Sequence, residues 1–98
     1  MFEFAEIDAL NYYKKLGEKV IFFFETSWSD ECESFLSKLI SIHKDISGVT
    51  VYRVGLDIDG GDYIKKEFDI KTTPTLLVFS EGEEEHRVTD EDLLEEIL

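Results

Sequence analysis

The run Val20-Ile21-Phe22-Phe23-Phe24 constrains the fold more than any other stretch of this 98-residue chain. Five consecutive apolar residues leave neither face of an extended strand polar. That is the pattern of a central strand covered on both sides. β-Branched and aromatic side chains suit such a strand, and covering both faces requires neighbouring strands and helices above and below. The run is far too short to cross a bilayer, which takes roughly 20 apolar residues.

The remaining periodicities supply those layers. Ala5 to about Leu16 reads as a helix, with Ile7, Leu10 and Tyr13 or Lys14 at helical spacing and Gly17 as its C-cap. A longer helix starts at Ser29 or Asp30 and ends at Gly48; Phe35, Leu36, Leu39, Ile40, His43 and Ile46 follow the 3.6-residue period. Val49 to Leu56 reads as a strand and Gly60-Gly61 as a turn. Asp62 to Phe68 reads as a short helix offering Tyr63, Ile64 and Phe68 to the core. Leu76 to Phe79 is a third strand. Ser80 to Glu83 turns into a polar strand over Glu85 to Val88. Thr89 to Asp92 has capping-box character and opens a last helix carrying Leu93, Leu94 and Ile97. Phe2 to Phe4 is a candidate for a short additional strand. Right-handed crossovers make the early strands parallel, and the hairpin adds an antiparallel edge. The expectation is an α/β fold with a central mixed β-sheet flanked by helices on both faces, one domain over residues 1–98.

Charge limits the partners. A formal net charge of −13 argues against nucleic acid and against anionic membranes, which are bound through clustered Lys and Arg. The single cysteine excludes an internal disulfide and a disulfide-stapled secreted domain. The acidic N-terminal residues Met1 to Glu6 contain no apolar signal-peptide core. A soluble cytoplasmic protein is expected. His43, His86 and Cys32 have no metal-ligand spacing. Asp57 to Asp62 lacks the Glu that closes a calcium loop. No metal and no cofactor are expected.

The chemistry-bearing stretch follows the apolar strand directly: Glu25-Thr26-Ser27-Trp28-Ser29-Asp30-Glu31-Cys32. Downstream, Thr73-Pro74-Thr75 holds the only proline, just before Leu76-Leu77-Val78-Phe79. Together these resemble the thioredoxin family, whose signature is Trp-Cys-x-x-Cys after a strand and a cis-proline before a later strand. The resemblance covers nearly the whole chain and implies the thioredoxin fold. It implies thiol–disulfide redox chemistry, with protein disulfide reduction as the activity and electron transport as its setting. Ser29 falls at the nucleophile position and Cys32 at the resolving position. Trp28 falls where the family covers the site and contacts substrate, so partial exposure is expected. Thr73 and Pro74 correspond to the cis-proline element that pairs with a substrate strand. The implied partners are a protein disulfide or an extended peptide segment in that groove, and a thioredoxin reductase. A monomer is expected, with a Cys32-linked dimer as the other state left open.

Four departures from the family stand out. Ser29 replaces the thiolate that attacks a disulfide, through an engineered Cys→Ser exchange or through natural loss. A hydroxyl has no accessible alkoxide near neutral pH, so the chain as given should be inactive. Phe23 falls where the family buries an acid beneath the second cysteine, leaving Glu25 as the only nearby substitute. His86-Arg87-Val88 has no counterpart of the groove glycine. The helix proline of the family corresponds to Ser37, which predicts a straighter helix.

Each site residue also has a plainer reading. Serine is a favoured N-cap. Cys32, among Asp30, Glu31 and Glu33, is either a poorly ionised thiol or a small core residue. Trp28 is also readable as core packing, and Pro74 as a trans proline at a strand start. Ser29 as a hydroxyl holding the thiolate of a bound small thiol, as in glutathione transferases, conflicts with the acidic surroundings. Besides a silenced oxidoreductase, two functions therefore stay open: a non-redox protein-binding module using the cis-proline groove, and a monothiol protein acting through Cys32.

Overall fold

The computed structural model describes residues 2–4, 10–14, 19–43, 49–58 and 60–97. Five strands form one sheet: β1 (Phe2–Phe4), β2 (Val20–Glu25), β3 (Thr50–Gly55), β4 (Thr75–Ser80) and β5 (Glu83–Val88), in spatial order β1-β3-β2-β4-β5. Four helices flank it: α1 (Leu10–Lys14), α2 (Asp30–His43), α3 (Gly61–Glu67) and α4 (Leu94–Ile97), the last preceded by a 3₁₀ turn at Glu91–Leu93. The rest of the expected first helix, with Ile7 and Gly17, lies outside the described residues, as do Ile46 and Gly48.

The apolar run occupies the centre of the sheet, where β2 pairs in parallel with β3 and antiparallel with β4. Its side chains alternate between two cores. Val20, Phe22 and Phe24 join Leu10, Ile64, Phe68, Leu77 and Phe79 on the α1/α3 side. Ile21 and Phe23 join Phe35, Leu39, Leu76, Val78 and Leu94 on the α2/α4 side. Each buried Phe contributes about 1.5–3 kcal/mol by leaving water. A row of them on both faces locks the register, because a one-residue slip exchanges the two cores.

Antiparallel pairing starts earlier than the sequence suggested. β4 already runs against β2 inside the sheet, and the hairpin then adds β5. The connection over residues 56–74 returns the chain to the end of the sheet it left, so Thr75 opens β4 opposite Phe24, at the end where β2 and β3 stop. The β4–β5 turn is tight: Glu81 and Gly82 both have positive φ, 53° and 84°, which matches the twist of a hairpin.

Several local expectations are corrected. Ile40 is 41% exposed, and Ile42 packs on the core instead, because α2 turns its core stripe through Cys32, Phe35 and Leu39. Tyr63 is 60% exposed while Ile64 and Phe68 are buried, so α3 is anchored by one edge only. The last helix is capped by Asp90, not Thr89: Asp90 Oδ1 accepts from the Asp92 amide at 2.9 Å. Leu93 is thereby left outside and Leu94 fully buried.

Candidate functional site at the start of α2

The parallel strands β2 and β3 both end at one edge of the sheet, and the loops leaving them carry the site residues. Residues 26–29 take the chain from β2 into α2. Ser29 is the helix cap in full: its Oγ accepts from the Cys32 amide at 3.2 Å, and its carbonyl accepts from the Glu33 amide at 3.1 Å. Asp30, Glu31 and Glu33 fill the first turn, where carboxylates suit the helix dipole. The candidate nucleophile position is thus a structural hydroxyl engaged with the backbone.

Cys32 sits one turn into α2 and is only 3% exposed, a free thiol facing inward. Phe23, at the position of the family's acid, stacks its ring on Phe35 with centroids 5.3 Å apart. Glu25, two residues further along β2, has its side chain on the same face. Both of its oxygens are taken by Arg53 of β3, at 2.8 Å each. This partly buried fork holds the Arg53 guanidinium above its ordinary pKa, chiefly through the hydrogen bonding to Glu25. Glu25, Arg53, Ser29 and Cys32 all line one cavity of about 230 Å³. Sequence reading missed Arg53. The signal was present, since it is the only basic residue in the run Val49 to Leu56.

Trp28 is fully exposed, at 100%, with a left-handed φ of 63°. Partial exposure was expected. The left-handed backbone turns the indole out of the loop, and it stacks on no other ring among the described residues. Next to it the Ser27 amide donates to Asp57 Oδ2 at 3.0 Å, tying the loop after β2 to the loop after β3. Hydrogen bonding from Ser27, through its side chain first and its backbone second, holds the Asp57 carboxyl below its ordinary pKa.

The Pro74 segment closes the site from the other side. The Thr73–Pro74 peptide is cis. Thr26 Oγ1 and Thr73 Oγ1 are 3.2 Å apart, and Thr75 Oγ1 donates to the Thr72 carbonyl at 2.7 Å. Pro74 is buried and Thr73 half-exposed. Between Pro74 and the start of α2 runs a groove of about 540 Å³, with Phe35 and Pro74 among its walls and Thr89, Asp90 and Glu91 along its far side. The structure therefore brings Ser29, Cys32 and Trp28 together around one cavity, and sets Thr73-Pro74 beside them. Among the described residues no group of three or more His, Cys, Asp or Glu is placed to hold a metal ion. No helix among them is long and apolar enough to cross a membrane.

A mixed sheet of this order, with a helix cap and a proline loop meeting at one edge, defines the thioredoxin-like class. The sequence profile of the family described as a thioredoxin-like domain matches residues 7–91, and the chain belongs to that family. Its fold is similar to thioredoxin O2 of Arabidopsis thaliana in the oxidised state, with a TM-score of 0.85 and 18% identity over 98% of this chain and 90% of that one. It is equally similar to thioredoxin f2 of Chlamydomonas reinhardtii, with a TM-score of 0.85 and 17% identity over 99% and 93% of the two chains. The thioredoxin of Malassezia sympodialis follows, with a TM-score of 0.83 and 20% identity over 99% and 87%. No curated protein matches the chain at a significant level.

Proposed function

We propose that this chain is a thioredoxin-like protein of thiol–disulfide chemistry whose nucleophile is replaced by Ser29, so that it does not turn over disulfides as it stands. The observation carrying this reading is the Ser29 Oγ at the head of α2, 3.2 Å from the Cys32 amide. A sulfur at that position would meet the free amides and dipole of a helix N-terminus, which favour a thiolate. An oxygen there only caps the helix. Trp28 and Thr73-Pro74 are proposed to contact the substrate, and Cys32 to act as the resolving thiol. A thioredoxin reductase as electron donor, a monomeric state and a cytoplasmic location belong to the same proposal.

The test is disulfide reduction by Ser29→Cys beside the parent chain, with a protein disulfide as substrate and a dithiol as reductant. The introduced thiolate attacks the substrate disulfide, forming a mixed disulfide and releasing one substrate thiolate. The Cys32 thiolate then attacks the mixed disulfide, closing a 29–32 disulfide and releasing the second thiolate. The dithiol returns the pair to thiols. Turnover by the variant and none by the parent is the expected result. If neither turns over, the reading falls.

A second reading is favoured by Phe23. With a stacked ring where an acid would take the Cys32 proton, and an open groove beside Pro74, the chain is suited to holding an extended segment without any redox step. The reading as a monothiol protein, or as a Cys32-linked dimer, is opposed by the burial of that side chain.

A further inference from the structure

We propose that the groove beside Pro74 selects an extended polypeptide segment rich in Lys or Arg. The inference rests on reading that groove as the partner-binding surface, and adds the chemistry of the partner. The groove is lined by Asp30 and Glu31 of α2, by Asp90 and Glu91 before α4, and by the apolar Phe35 and Pro74. Every charged residue in its lining is acidic. Lys38 of α2 is directed to Asp92 and Glu95, at 3.7 and 4.0 Å, and lies outside the lining.

The four carboxylates differ in how they are engaged. Glu91 accepts from Ser34 Oγ at 3.1 Å, and Asp90 from the Asp92 amide at 2.9 Å. Neither bond neutralises a charge. Asp30 and Glu31 are exposed and form no ion pair with any described residue. The dipole of α2 offsets about half a unit charge at most. A groove whose charged lining is all of one sign, with apolar side chains among it, focuses its field and attracts cationic groups. Among the described residues no three of these carboxylates are placed to hold a metal ion together. That geometry suits several cationic groups spaced along a chain. Thr73, the neighbour of Pro74 in the chain, is half-exposed and offers backbone for strand-like pairing, while side chains of the segment reach the carboxylates of the groove.

The experiment titrates the intact chain with three short synthetic peptides of one extended, Val-containing frame, whose variable positions are all Lys, all Gln or all Glu. Amide NMR shifts at Thr73, Ser34 and Thr89 give both place and affinity. The Lys peptide should bind at least about tenfold tighter than the Glu peptide at low salt, and the difference should collapse by about 0.5 M salt as the Debye length shortens. The combined variant Asp30→Asn, Glu31→Gln, Glu91→Gln should abolish the preference. The control Glu67→Gln, Glu83→Gln, Glu85→Gln removes equal charge outside the groove and should keep it. Asp90 is left intact because it caps the 3₁₀ turn. Equal binding of all three peptides in the groove overturns the inference and leaves the groove reading standing. A preference surviving the groove variant overturns it too, since the charge would then be read elsewhere. Groove shifts with none of the peptides overturn both. The salt series on the parent chain decides the matter even where a variant fails to fold.

Discussion

Ser29 acts at the residue scale as a helix cap, its Oγ accepting from the Cys32 amide at the head of α2. Its capping role was legible in the sequence, because Ser before an acidic first turn is a local signal. The burial of Cys32 was one of two readings available. Trp28 was not legible: its full exposure follows from a left-handed φ that local composition does not encode. The Glu25–Arg53 fork was equally hidden, because its partners lie 28 residues apart and meet only through β2–β3 pairing. The Ser27–Asp57 tether is a second long-range contact, and it carries a pH signature. A carboxyl whose folded pKa lies below its unfolded value contributes stability above about pH 3.9 and loses it as pH falls through the folded value. Asp57 hydrogen-bonded to Ser27 is such a group. Its carboxyl carbon is expected to titrate below the peptide value in an NMR pH series, with the Ser27 amide shift following the same curve. A midpoint at or above the peptide value would break the argument.

Elements were legible wherever periodicity reflected burial. β2 and β4 are buried nearly throughout, and their apolar runs announced them. β5 is exposed along all but its last residue, so its start at Glu83 was blurred by a polar sequence. The first turn of α3 is less tolerant than its Gly60-Gly61 sequence implies. Gly60 takes a left-handed φ of 91° outside the helix, while Gly61 begins it, pressed against β3's exit. A Cβ at Gly61 would lie 1.9 Å from the Leu56 carbonyl oxygen, which is backbone and cannot step aside. Gly61→Ala is therefore expected to cost about 1–3 kcal/mol or more by overpacking. Chemical denaturation would measure it as a lower midpoint at unchanged slope. An unchanged midpoint would mean that α3 shifts freely, contrary to its anchoring by Ile64 and Phe68.

For the whole molecule, the alternation of helices and strands was enough to predict a mixed sheet covered on both sides. Strand order and the direction of β4 were not, because they depend on which end of the sheet the connection after β3 returns to, which no local pattern encodes. The net charge of −13 acts at this scale as well. Self-repulsion weakens a compact state, and salt relieves it. Thermal unfolding near neutral pH is thus expected to move upward as salt rises from about 20 mM to 0.3 M, by roughly 4–8 °C for each kcal/mol recovered in a domain of this size. A flat or falling midpoint would show that the acidic surface is already locally compensated. The same unfolding has to be followed with some care over what emits light. The chain owns one tryptophan, and it stands wholly in water at the rim of the site. Its indole is as wet in the native state as in the denatured one, so its fluorescence is almost silent about the eight phenylalanines and four tyrosines elsewhere in the chain. It is a lamp placed at the doorway, dark to the collapse of the house and bright to anyone who comes in.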